Sequence, residues 1–311
     1  MVMVAHTGQL LRQRPGLTII EVLVAIAIIG LLASLLAPAV MLVRETSRKA
    51  SCASRLRQIG VAIHSYHSDY LTFPMNYGKG HNTFHVAILP YLDQAPLHQW
   101  IINDTAPFPS QYQTVPVMRC PSAPSYGDYG STNYGKNYGS GFQRYEWNGF
   151  VADKNISDRD IYDGLTQTVA MAELKDIPGN HDLADVNRPL DMVWETQTPL
   201  WLPGELEQFA DLCETMPLDL FRATDLNVVG WIAGSSNNYF HVLPPQSRSC
   251  LNGFYGVWAG NLHAAISASS YHSEGCNTLF ADGSVRYVGQ IDRKLWSALG
   301  SRNGNESVSW P

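Results

Sequence analysis

The sequence predicts an α+β chain: one long N-terminal helix, then a β-containing head with irregular loops. Residues 22–43 are a run of 22 without a charge, VLVAIAIIGLLASLLAPAVMLV. Beyond it, Cys52, Leu56, Ile59, Ile63, Tyr66 and Tyr70 recur at steps of four and three, which is one face of an α-helix. Near the C terminus, Asp282-Gly283 separates Asn277–Phe280 from Val285–Val288, a strong marker of a β-hairpin.

The apolar run comes first in the chain. About 20 apolar residues in a helix cross a bilayer core. A secretory signal peptide would carry an apolar region of about 7–15 residues and a small-residue cleavage site, so the longer run favours a membrane span. The charged fraction of the chain is 15%, against about 25% in ordinary soluble domains, and this run accounts for part of the deficit. Glu21 enters the run from the front. A carboxylate in a membrane segment costs about 2.5–3.5 kcal/mol on insertion scales and calls for a partner. No proline falls between Pro38 and Pro74, so one helix can run from Leu17 to about Tyr70, on the order of 80 Å.

Gly16-Leu17-Thr18-Ile19-Ile20-Glu21 resembles the processing site of type IV prepilins and type II secretion pseudopilins. The resemblance implies a leader of residues 1–16, cut after Gly16 by a prepilin peptidase that then methylates the new N terminus at Leu17. Glu21 would pair with the N-terminal amine of a neighbouring subunit. Pro38 matches the family's helix-bending proline, and Gly30 would permit close helix packing. Pilin-like subunits, homo- or hetero-assembled, are then the expected partners. The expected location is the bacterial inner membrane, single-pass, with the N terminus cytoplasmic and the head periplasmic or at the cell surface. Charge on the two flanks points the other way: Arg12 and Arg14 precede the run, while Arg44, Arg48, Lys49, Arg55 and Arg57 follow it. The processing motif requires a cytoplasmic leader, and long domains translocate largely regardless of charge.

Residues 17–43 are thus read as the transmembrane and assembly helix, 44–73 as its amphipathic continuation, and 74–311 as an exported head. Tyr126–Phe150 is dense in glycine and aromatic residues and reads as an irregular loop packed by Tyr and Trp. After the hairpin, Ile291–Leu299 reads as a short helix stopped by Gly300.

His272, nine residues, and Asp282-Gly283 resemble the C-terminal His-x9-Asp-Gly signature of a large prepilin-like family without an established activity. Four further blocks are similar to the same family: Cys52–Pro74, Phe84–Gln94, Cys120-Pro121-Ser122, and Asp163–Glu173. The family implies a pilin-like helix packed on an antiparallel sheet. Between these blocks, about residues 176–250 read as a variable insert. Within it, His181–Asp225 holds ten acids and two bases, a net charge of -8. The default reading is a solvated acidic face, the sharper one a docking surface for a cation or partner.

The net charge of -6 argues against nucleic acid as a partner. All five cysteines lie beyond the apolar run, where an oxidising compartment favours disulfides. Spacing alone does not assign the pairs; Cys213 with Cys250 is singled out because Cys213 lies in the insert. His64 with His67 beside Asp69, and His81 with His85, are spaced for metal binding but read as polar-face or packing residues. No Ser-hydrolase elbow, HExxH motif, CxxC pair or nucleotide-binding glycine spacing occurs. His272 and Asp282 are read as loop-ordering and turn-forming residues rather than an acid–base pair. The expectation is a non-enzymatic structural subunit without cofactor or metal. The alternative is a membrane-tethered binding module for a glycan or protein that never polymerises.

Overall fold

The structure, a computed structural model, describes residues 18–76, 83–103, 113–124, 131–140, 147–176, 189–196, 205–217, 222–223, 237–251 and 264–304. Gly16, Leu17, the rest of the leader and His81 lie outside the described residues, as do Asp182, Asp185, Asp219 and Asp225 of the acidic insert. The chain divides into two units, Met1–Ser47 and Arg48–Pro311. Helix α1 (Ile19–Tyr70) contributes to both.

In the first unit α1 opens on a reciprocal cap. Thr18 N and Oγ1 donate to Glu21 Oε2 at 2.8 and 2.9 Å, and Glu21 N donates back to Thr18 Oγ1 at 3.4 Å. The apolar window of the helix has a mean hydropathy of 2.8 with none of it buried, and is long and apolar enough to cross a membrane. Pro38 lies inside the helix.

In the second unit α1 buries Cys52, Leu56, Ile59, Gly60, Ala62 and Ile63. The buried face stops there. Tyr66 is half-buried, and Tyr70 is 61% exposed and packs on Tyr66 with ring centroids 4.5 Å apart. The 3–4 spacing therefore outlasts the packing by two steps. Leu71, at φ 57°, ends the helix by donating its N–H to the His67 carbonyl at 2.8 Å.

Two short helices follow, α2 (Phe84–Ala87) and α3 (Ala95–Ile102). Among the described residues there are two sheets. The first has the order β5 (Asn238–Tyr239), β1 (Tyr134–Asn137), β2 (Val169–Glu173), β8 (Cys276–Phe280), β9 (Val285–Val288). The second has the order β4 (Arg222–Ala223), β3 (Val193–Glu195), β6 (Ser249–Leu251), β7 (Ala264–Ala265). Helix α4 (Leu206–Thr215) lies between β3 and β4 in sequence, and α5 (Arg293–Gly300) closes the described chain.

The expected α+β class holds, with a sheet that is mixed rather than purely antiparallel. The pairs β1–β2, β2–β8 and β8–β9 are antiparallel, while β1–β5 and β3–β6 are parallel. Parallel neighbours need long crossover connections, and here they run through the region read as an insert, which supplies β3, β4, β5, β6 and α4. Strand β1 also corrects the loop reading of Tyr126–Phe150. All four of its residues are buried, and it is flanked by strands on both sides. Gly135 allows this: a Cβ there would sit 3.1 Å from Leu174 Cδ2 and 3.2 Å from Tyr239 Cδ1. The aromatic packing expected nearby is present, with Tyr138 4.6 Å from Trp147 and Trp147 5.9 Å from Phe240 between ring centroids.

The first sheet carries the second half of α1. Tyr134 Oη donates to the Cys52 carbonyl at 3.0 Å, and the Lys49 ammonium lies 2.9 Å above the Tyr287 ring centre. The Ala281–Ser284 turn reaches α1 as well. A Cβ on Gly60 would come within 2.8 Å of Leu279 Cδ1, and one on Gly283 within 3.4 Å of His64.

Candidate functional site

Two places concentrate the residues singled out by the sequence. The first is the start of α1. Glu21 is exposed, and its carboxylate is held by its own N-cap, Thr18, in the single chain. Gly30 and Pro38 lie nine and seventeen residues beyond Glu21 on the same exposed segment; a Cβ on Gly30 would meet no described atom within 4 Å.

The second is a buried cluster in the head where four of the sequence blocks meet. Cys52 of α1 is disulfide-bonded to Cys120, with Cα atoms 5.1 Å apart. His272 Nε2 lies 3.6 Å from Cys120 Sγ and 3.6 Å from Glu173 Oε1. Glu173 ends β2 and is held by both of its oxygens: Asn277 N donates to Oε2 and Asn277 Nδ2 to Oε1, each at 2.8 Å. Burial pushes the Glu173 carboxyl up, against the Asn277 bonds and His272, which favour its ionised form.

Local structure fixes each member. Arg55 Nη1 donates to the carbonyls of Pro116 and Arg119 at 2.9 and 2.6 Å, holding the segment before Cys120 against α1. Asn133 Oδ1 accepts from Cys120 N at 2.9 Å. The loop bearing His272 is clamped by Gln246, whose Nε2 donates to the carbonyls of Ser270, His272 and Gly275 at 3.1, 2.8 and 3.2 Å. Cys276 is a buried free thiol, and burial, reinforced by Glu173, pushes its pKa up. It therefore stays protonated and unreactive at neutral pH.

His272 and Asp282 stand at opposite ends of β8 and do not meet. Asp282 makes the turn instead: its Oδ1 accepts from Ser284 N at 2.8 Å. Gly283 alone among the turn residues has positive φ, 84°. Phe280 accepts from Gly283 N at 2.9 Å and donates to the Ser284 carbonyl at 2.9 Å. This is the three-residue hairpin loop with a left-handed glycine, not the two-residue turn with positive φ at both centres that Asp-Gly most often marks.

Cys52, Cys120, Glu173 and His272 are, among the described residues, the group whose metal-type ligand atoms all lie within 4.8 Å of one another. With the disulfide closed neither sulfur is a thiolate, the form that ligates a metal, so one imidazole and one carboxylate remain as donors. The histidine pairs have packing partners. His67 stacks on Phe73 at 4.5 Å, and His64 meets the same ring edge-on at 6.2 Å. Asp69 accepts from Tyr91 Oη at 2.6 Å. His85 is buried, with Nε2 3.3 Å from the Tyr134 carbonyl, and burial together with Lys136 holds its pKa well below the ordinary value.

The singled-out pair Cys213–Cys250 is formed, joining α4 to β6 with Cα atoms 6.0 Å apart. The acidic insert is less free than expected. Glu207, Asp211 and Glu214 of α4 surround Arg293 at 3.1, 2.7 and 3.7 Å, and Asp191 pairs with Lys175 at 2.9 Å. Sequence reasoning named Cys52, Cys120, Glu173 and His272 in separate blocks without joining them. That their blocks resemble one and the same family was the available signal; Asn277 carried none.

The family described as "Protein of unknown function (DUF1559)" matches residues 42–292, and the prokaryotic N-terminal methylation motif matches residues 11–37. No curated protein and no solved structure matches the chain. The methylation-motif match runs from residue 11 into the exposed first half of α1, and the family match takes in all four blocks of the buried cluster. The chain belongs to the family described as protein of unknown function (DUF1559), and joins it to a prepilin-type N-terminal methylation motif.

Proposed function

We propose that the chain is a pseudopilin-like structural subunit, processed after Gly16 and assembled through the first half of α1. The observation that carries this reading is a methylation motif that runs into an apolar helix with none of its apolar window buried. Such a surface is satisfied by lipid or by the same face of neighbouring helices. Glu21 would exchange its cap on Thr18 for the α-amine of Leu17 in the next subunit, a charge pair that replaces a helix-end contact in an apolar setting. The absent side chain of Gly30 and the ring of Pro38 would shape the packing. The head would sit outside the inner membrane and act structurally rather than catalytically, its Cys52–Cys120 and Cys213–Cys250 bonds suited to an oxidising compartment.

Mass spectrometry of the mature N terminus tests processing. The expected result is a chain starting at a methylated Leu17; a chain starting at Met1, or cut after the apolar run, sinks the proposal. Glu21→Ala tests assembly: subunits should remain processed and membrane-bound but fail to cross-link to one another in the cell.

A second reading, a tethered binding module, is favoured by an open groove of about 910 Å³ lined by Pro244, Gln246, Glu274, Tyr287 and Ile291. Under that reading Glu21→Ala leaves every property of the head unchanged and no assembled species is found in the wild type.

A further inference from the structure

A buried amine faces a buried amide in the head. Lys136, in the middle of β1, and Asn76, beyond the end of α1, are each fully buried, with no exposed surface. Lys136 Nζ donates to Asn76 Oδ1 at 3.0 Å, and Asn76 Nδ2 donates to Asp153 Oδ1 at 3.1 Å. The backbone sets this row of three. Phe73 N donates to the Ile156 carbonyl at 2.6 Å and Asn76 N to the Ala152 carbonyl at 3.0 Å, so the strand-like segment carrying Asn76 runs beside the one carrying Asp153.

The chemistry of the row is that of acyl transfer. A lysine amine is a nucleophile only when neutral. Burial lowers the Lys136 pKa to about 7, opposed by the nearby Asp153 charge. A large share of the amine is therefore the free base near neutrality. Its nitrogen is hydrogen-bonded to the oxygen of the very carbonyl it would attack, and no water need be displaced from between them. Holding the amine beside the amide in this way removes much of the entropic cost of bringing the two groups together. Asp153 is bonded to the nitrogen that must leave, and it is itself exposed, so a small product has a path to solvent.

We propose that Lys136 and Asn76 become joined by an intramolecular amide bond, with Asp153 as the proton carrier. The Nζ–Cγ bond forms and the Cγ–Nδ2 bond breaks. Of the two protons on the neutral amine, one stays on the new amide nitrogen. The other passes by way of the Asp153 carboxylate to Nδ2, which departs as ammonia. No oxidant, reductant or cofactor enters the balance. The link would tie the segment after α1 to β1, an inner strand of the first sheet, independently of both disulfides and of any role in assembly.

The test is peptide mapping of the folded full-length chain, purified in detergent, then reduced, alkylated, denatured and digested with trypsin. The expected result is a branched peptide joining the Asn76 segment to the Lys136 segment. Its mass is the sum of the two less one ammonia, and trypsin does not cut after Lys136. Linear peptides carrying unmodified Asn76 and a tryptic cut after Lys136 would overturn the proposal, as would simple deamidation of Asn76. Asp153→Ala, at an exposed position, should fold and yield only the linear peptides. A branched peptide in that variant would overturn the part given to Asp153.

Discussion

The two halves of α1 share one backbone and differ in what surrounds them. Before Ser47 the apolar side chains are exposed: Leu35 is 66% and Leu36 61% accessible. From Cys52 to Ile63 the inward residues are buried against the first sheet, with Leu56 and Ile59 wholly inaccessible. The second half is read by periodicity, because one face meets a sheet and the other meets water. The first half has no such period, because nothing within the chain distinguishes one of its faces from another. A helix that is apolar all round and unburied in its own chain needs its solvent supplied from outside, by lipid or by copies of itself.

Paired substitutions break this comparison most sharply. Leu56→Ala should lower the stability of the detergent-solubilised chain by about 2–5 kcal/mol, the usual cost of emptying a buried leucine site. Leu36→Ala should change it by less than about 0.5 kcal/mol, as for exposed positions elsewhere. Urea titration followed by tryptophan fluorescence measures both; equal effects would mean that the first half is packed within the single chain.

Removing the staple between helix and head comes next. Cys52→Ala with Cys120→Ala opens a bond that spans 68 residues of sequence and should cost about 2–4 kcal/mol. A thermal melt of the double variant showing no loss would mean the pair is not bonded in the protein.

Acid should weaken the head and leave the first half of α1 untouched as a helix. His241 is buried, its Nδ1 donating to the Trp296 carbonyl at 2.7 Å and its Nε2 accepting from Tyr239 Oη at 3.0 Å. Burial depresses its pKa to about 3, the Trp296 bond opposing. The unfolded chain takes up the proton near pH 6.5 and the folded chain does not until about pH 3. The stabilisation is thus complete above pH 6.5 and is lost as the pH falls toward 3, by about 1.4 kcal/mol per pH unit. Urea midpoints that stay flat from pH 7 to 4 would contradict this.

The smallest effect belongs to the acidic surface. Arg293→Ala removes three ion pairs, but their acids are 39–66% exposed. Less than about 1 kcal/mol is expected in the same titration, diminishing with salt.

The legible parts of the molecule are those with local causes. The uncharged run and the Asp282-Gly283 turn depend on residues close in sequence, and each is where the sequence puts it; the cap of Thr18 on Glu21, equally local, was not read from the sequence. Strand β1 was not legible. Its Gly-Lys-Asn core has no strand propensity, and it becomes a strand through partners far away: Asn137 Nδ2 donates to the carbonyls of Val169 and Gly300 at 2.6 and 2.9 Å. The parallel pairs β1–β5 and β3–β6 likewise rest on crossovers that leave no periodic trace. The buried cluster was half legible, its residues marked one by one and their meeting visible only in the fold.

The Cys52–Cys120 bond also decides how the head would be towed. Cys52 is the first buried residue of α1, and the other buried residues of the helix lie beyond it. Tension applied along the helix from its N-terminal side passes the Lys49–Tyr287 contact and then reaches the covalent bond before any of the buried apolar side chains, and passes through Cys120 into the segment that leads to β1. The leucines and isoleucines of the interface are spared the load. With the bond reduced, the same tension would fall on Leu56 first, and the helix would unzip from the sheet one turn at a time instead of holding as a single handle.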